Sequence, residues 1–185
     1  MDNPGRGATM VAVSTEAGPA PDLPTTAREV EEFVAAGGWD QPPQLFALVP
    51  TDHLLREQPD LADRVDPAAA LTPIAQDALP DGDLGAALGV IMWPDAVAGC
   101  ALAQEIVMLP PEAEAELPAD EDAAGEFAAS HPLAREARLV AAVLRDGGVA
   151  CVLRLRAGAD GVDEIVEHPG LAGNLSTALL DTFRA

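Results

Sequence analysis

Asp146-Gly147-Gly148 separates two apolar runs, Arg138–Arg145 and Val149–Arg156. This stretch, Ala137 to Ala157, constrains the fold more than any other. Asp-Gly between Val- and Leu-rich runs is a strong hairpin signal, because Gly adopts the positive φ that a tight turn needs. The two runs are read as paired antiparallel strands that the rest of the chain covers. Two registers stay open. A two-residue Asp146-Gly147 turn places Arg145 on the same face as Arg154, whereas a three-residue turn moves it to the opposite face.

The other elements follow from period and punctuation. Thr25 or Thr26 is expected to cap a helix that starts near Ala27, carries Val30, Phe33 and Val34 on one face, and stops at Gly37-Gly38. Leu45–Val49 reads as a strand closed by Pro50. Helical pieces are expected over His53–Gln58, Asp60–Val65 and Leu71–Ala78. Leu84–Trp93 and Cys100–Leu109 read as further strands. Glu112–Glu126, with seven acidic residues and no basic one, reads as a solvated, partly helical loop. Glu164–Glu167 is short and either extended or helical. Leu171–Phe183 carries Leu175, Leu179, Leu180 and Phe183 as one apolar stripe and should close the fold as a helix.

Strands joined by short connections favour antiparallel pairing. The expected class is α+β: an antiparallel sheet of about five strands with helices packed on it and a C-terminal helix closing the fold. Residues 1–23, rich in Gly, Pro, Ala and Thr without periodicity, are read as a disordered tail. Residues 24–185 are read as a single domain.

Charge narrows the function classes. The chain has 185 residues and a net charge of −21, and all its Lys and Arg total ten, every one Arg. Such a surface repels phosphate backbones and anionic lipid, which argues against nucleic-acid and membrane partners. No signal-peptide pattern and no apolar run of membrane-spanning length is seen, and Cys100 and Cys151 read as buried free thiols. A cytoplasmic protein is expected.

The motifs that carry chemistry are missing at sequence level. His53, His131 and His168 belong to no metal-ligand spacing, and Asp120-Glu121-Asp122 lacks the alternation of a calcium loop. No nucleophile elbow or phosphate-binding Gly pattern occurs. No catalytic residue, metal or cofactor is assigned. Glu105, lying within a strand, is an edge residue or a partner for Arg154. The strongest remaining signal is positional. Arg135, Arg138, Arg145, Arg154 and Arg156 put half of the basic residues into 22 positions. Arg154 and Arg156 share a strand face, which either meets a partner or is neutralised by the chain's own acidic segment Glu112–Glu126. Arg138, Arg145, Arg154, Arg156, Trp39 and Trp93 are the candidate binding residues, the two Trp being core-edge residues or interface anchors.

Several segments resemble an uncharacterised family of small acidic actinobacterial proteins. They are Trp93-Pro94-Asp95, Gly99 to Leu102, His131-Pro132, Arg138 to Gly147, Leu153 to Arg156, and Asn174-Leu175. The likeness spans about Thr25 to Ala185 and implies no catalytic residues. The order of elements is also similar to that of bacterial secretion chaperones, which are small, acidic, usually dimeric and bind extended segments of partners. The chain departs from them by the long segment between Pro50 and Asp83. The expected function is a non-enzymatic protein–protein interaction module acting on a protein partner or on itself as a homodimer. The alternative is a small-molecule-binding or enzymatic domain with a site assembled from distant residues such as Glu105, His53 and Arg154.

Overall fold

The computed structural model describes residues 21–159 and 161–184. Its strands are β1 (Gln44–Pro50), β2 (Leu71–Ala75), β3 (Gly99–Met108), β4 (Arg135–Leu144), β5 (Val149–Leu155) and β6 (Glu164–Glu167). Its α-helices are α1 (Leu23–Ala36), α2 (Thr51–Glu57), α3 (Leu84–Gly89), α4 (Pro111–Glu114), α5 (Glu121–Ser130) and α6 (Gly173–Asp181), with 3-10 turns at Pro59–Leu61 and Pro169–Ala172. The strands form one open sheet in the order β2-β1-β3-β4-β5-β6, and every neighbouring pair is antiparallel. The class is α+β as the sequence implies, with six strands where about five were expected. Of the tail expected over residues 1–23, residues 1–20 lie outside the described residues, and Leu23 is instead the first residue of α1.

Strands β3, β4 and β5 are apolar along most of their length because the sheet is covered on both faces. Ala101, Ala103, Val140, Ala142 and Val152 form one core layer with Leu23, Ala27, Val30 and Val34 of α1. The alternate residues Cys100, Leu102, Leu139, Val143, Cys151 and Leu153 form the other with Leu179 of α6 and Leu88 of α3. Period-two alternation thus splits one set of strands into two cores. The closing stripe behaves as expected, since Leu175, Leu180 and Phe183 pack against the second layer.

Three expectations are corrected. Leu71–Ala75 is a strand, not a helix. It is short, holds Thr72 and Ile74, and sits at the sheet edge, where Pro73 is tolerated. Leu84–Gly89 is a helix, and no strand covers Leu84–Trp93. Asp83 caps it by accepting from the backbone N–H of Gly85 at 2.8 Å and of Ala86 at 3.4 Å. A Gly- and Ala-rich run is a poor strand former, and this capping residue decides the matter. The first helix starts at Leu23 rather than near Ala27, and its cap is Asp22, not Thr25 or Thr26. Asp22 accepts from the Thr25 hydroxyl at 2.6 Å and from its N–H at 3.3 Å, which lets Pro24 sit in the first turn. The acidic stretch after β3 is partly helical, as expected, with α4 and the start of α5 inside it. Asp120 is the N-cap of α5, accepting from Ala123 N–H at 3.0 Å.

No helix among the described residues is long and apolar enough to cross a membrane.

Gly99 opens β3 where the hairpin end comes closest. A Cβ there would lie 2.3 Å from the Val143 carbonyl oxygen, a backbone atom that cannot swing away. Gly99→Ala is expected to lower stability by about 1–3 kcal/mol, the usual cost of forcing atoms into a filled layer. Urea unfolding followed by circular dichroism checks this, and an unchanged midpoint would refute the close packing.

Candidate functional site

The hairpin takes the three-residue turn. Val143 pairs with Val149, Leu144 N–H donates to the Gly148 carbonyl at 2.8 Å, and Gly147 has φ +100. Arg145 is therefore carried away from the face of Arg138 and Arg154. The six candidate residues fall into two groups.

The first group lies under α1. Arg138 and Arg154 are cross-strand neighbours on β4 and β5, and both reach Glu31 of α1. Arg154 donates to Glu31 through Nε at 2.6 Å and Nη2 at 2.7 Å, a bidentate pair. Arg138 Nη1 lies 3.5 Å from the same carboxylate, and Nη2 lies 3.3 Å from Glu105 Oε1. Arg138 Nη2 also donates to the Gly38 carbonyl. The Arg138 and Glu31 side chains are each 1% exposed, so this is a charged cluster inside the protein. The Arg138 guanidinium carbon sits 4.5 Å from the centre of the Trp39 ring, and Arg156 covers that ring at 5.2 Å. Arg138 Nε is the buried side-chain polar atom left without a hydrogen-bond partner among the described residues.

The positive face is thus neutralised from within, but by other residues than expected. Its carboxylates are Glu31 from α1, Glu105 from β3, Glu136 on Arg156, and Asp163, 3.6 Å from Arg154. The acidic stretch Glu112–Glu126 supplies none of its ion pairs among the described residues. Glu105 meets Arg138 rather than Arg154, and it also accepts from Asp40 N–H at 2.9 Å and Gln41 N–H at 3.3 Å. Hydrogen bonding to Glu31, then its charge, raises the pKa of Arg154 despite burial, so the cation is firmly held. No hydrogen bond or ion pair among the described residues joins the His53 side chain to Glu105 or Arg154.

The second group joins Arg145 and Trp93 on the α6 side. Arg145 donates to the carbonyls of Pro94 at 3.1 Å and Val97 at 3.2 Å and lies over the Phe183 ring at 4.8 Å. Trp93 stacks on Phe183 and donates its indole N–H to Thr182 Oγ1 at 2.8 Å. These residues lock the loop after α3 to the end of the chain. Behind them the thiols are sheltered. Burial pushes Cys100 up to about 12, and burial also raises Cys151, which lies 3.8 Å from Ser176 Oγ. Cys100 and Cys151 are both free, on β3 and β5 with β4 between them.

The main concavity was not legible in the sequence. A groove of about 600 Å³ opens between α1, β1, β2 and the connection that follows α2. Val30, Phe33, Phe46, Leu54, Val65 and Ile74 are among its walls, with Glu29, Gln58 and Thr72 as polar points. Phe33, whose spacing groups it with Val30 and Val34, instead stands 63% exposed and meets Phe46 edge-on at 5.9 Å between ring centres. Burial against the wall raises the Glu29 carboxyl, and repulsion from Asp66, Glu32 and Asp22 adds to that. The helix stripe was the only sequence signal here, and it marks Phe33 as core because it carries no information about where the sheet ends.

An open six-stranded antiparallel sheet, helices on both faces, a buried Arg–Glu cluster and an apolar groove at one edge define an α+β protein with an internal charged layer. The chain belongs to the PPA1309-like protein family, whose model matches residues 23–184. This bears out the resemblance carried by the segments from Trp93 to Leu175. No curated protein and no solved structure matches the chain, so the likeness to secretion chaperones rests on element order alone.

Three outcomes follow from this geometry. Glu31→Gln is expected to cost about 3 kcal/mol in urea unfolding, the lower end of what losing one partner of a buried pair costs, because Glu105 still holds Arg138 and Asp163 still approaches Arg154. Arg156→Gln, at a half-exposed pair, should leave the midpoint almost unchanged. In mass-spectrometric labelling at neutral pH, iodoacetamide should modify neither Cys100 nor Cys151 until the chain is unfolded. Rapid native labelling of either would contradict the burial of these thiols.

Proposed function

We propose that this chain is a non-enzymatic interaction module of the cytoplasm that docks a segment of a protein partner in the groove beside β2. The groove carries the reading. It is apolar, it has room for several side chains, and Phe33 and Ile74 are both exposed along its lining. Free buried cysteines agree with a reducing compartment. The candidate Arg residues are occupied in holding the fold together. Arg138 and Arg154 tie α1 to the sheet, and Arg145 ties the loop after α3. A small apolar ligand is the second reading, since the groove volume falls within the range of about 300–1,000 Å³ common for such sites.

Capture from native-host extract with the wild-type chain and with Phe33→Asp/Ile74→Asp, each analysed by mass spectrometry, tests the proposal. The double variant should lose its captured proteins by about tenfold or more, as removal of two anchors from an interface predicts. Its unfolding midpoint should stay near that of the wild type. Equal capture by both chains would refute the groove as the docking site. Light scattering on the purified chain separates a protein partner from a second copy of itself.

A further inference from the structure

The edge beside the groove is closed to strand addition. Gln76 N–H donates to Leu45 at 2.8 Å and Thr51 N–H to Ala70 at 3.0 Å. This alternation turns the backbones of Leu71, Pro73 and Ala75 to the open side of β2. Pro73 has no N–H to offer there, so an incoming strand finds a gap in the middle of a five-residue edge. Recognition falls to side chains in the groove.

The charged residues that line the groove and its adjoining recess are all acidic. Glu29 lines the groove and also lines the recess, of about 250 Å³, together with Asp22 and Asp66. Glu29 makes no ion pair among the described residues. The nearest cation along α1, Arg28, is spent on Glu167 through two hydrogen bonds of 2.7 and 2.8 Å. The opposite wall comes from Glu57–Asp66, EQPDLADRVD, with four carboxylates and the single exposed Arg64. An exposed carboxylate beside an apolar wall can pair with a guanidinium or ammonium that arrives with the apolar group. A second copy of this chain is a poor source of that cation. It too carries a net charge of −21, and most of its Arg are committed to internal carboxylates or carbonyls.

We infer that the groove selects a partner segment in which apolar side chains are accompanied by an Arg or Lys, the cation settling against Glu29 on the Asp66 side. This rests on the reading of the groove as a protein-docking site. It makes the partner a basic, apolar peptide segment.

A displayed library of random peptides, panned against the full chain, tests both levels. Binders that compete with one another and are lost on Phe33→Asp/Ile74→Asp define groove occupants. The expected result is that these carry Arg or Lys next to apolar residues and that Glu29→Gln weakens them about tenfold, the lower end for a charge-assisted hydrogen bond. Asp122→Asn on α5, which removes the same charge away from the groove, should leave them unchanged. Groove-dependent binders without basic enrichment, or equally sensitive to both charge variants, would overturn the inference while the docking reading stands. An absence of groove-dependent binders would overturn both.

Discussion

Glu31 presents a fully buried carboxylate to the sheet, and the placement of α1 depends on it. Two Arg from adjacent strands converge on this one group, Arg154 by a bidentate pair and Arg138 at 3.5 Å. Charges in a dry layer must be matched, because an unmatched one costs far more than a badly packed methyl group. A shift of α1 by one residue would strand the buried Glu31 carboxylate and break its pairs with both Arg138 and Arg154. The core layer between α1 and the sheet is lined in part by small residues, Ala27 on the helix and Ala103 and Ala142 on the strands. The loop after α1 is tied to the same cluster, since Arg138 takes the Gly38 carbonyl and Glu105 takes the Asp40 N–H.

That anchoring sets the outer wall of the groove. Val30 and Phe33 belong to the helix that Glu31 holds, and Phe46 and Ile74 belong to the strands beneath. The groove exists because the sheet extends past α1 to β1 and β2 while the segment after α2 rises only part of the way to cover them. The two roles are divided by charge. Most of the scarce Arg hold the architecture together from within, and the charged residues that line the groove and its adjoining recess are acidic.

The sheet also protects itself. On one edge, Pro73 removes an outward N–H from β2. On the other, β6 is short and flanked by Glu164 and Glu167, the latter paired with Arg28. Both devices discourage pairing with another chain's strand.

The sequence by itself determined the elements whose period and punctuation agree. The hairpin over Arg138–Arg156, strand β3, strand β1 and the closing stripe of α6 were all legible, because alternation or helical spacing there coincides with clear stops. It also marked Arg138, Arg154, Arg156 and Trp39 as worth following, and these four do meet. The tertiary structure decided the rest. Leu71–Ala75 became a strand because β1 offered an edge, and Leu84–Gly89 became a helix because Asp83 capped it and α6 gave its apolar side a surface. The side taken by Arg145 turned on one residue of turn length, which local composition leaves open. Above all, Glu31 looks like any surface acid among its neighbours Glu29 and Glu32. Only the approach of two strands more than a hundred residues away made it the buried centre of the fold, because a charge is defined by what faces it and not by where it stands in the chain.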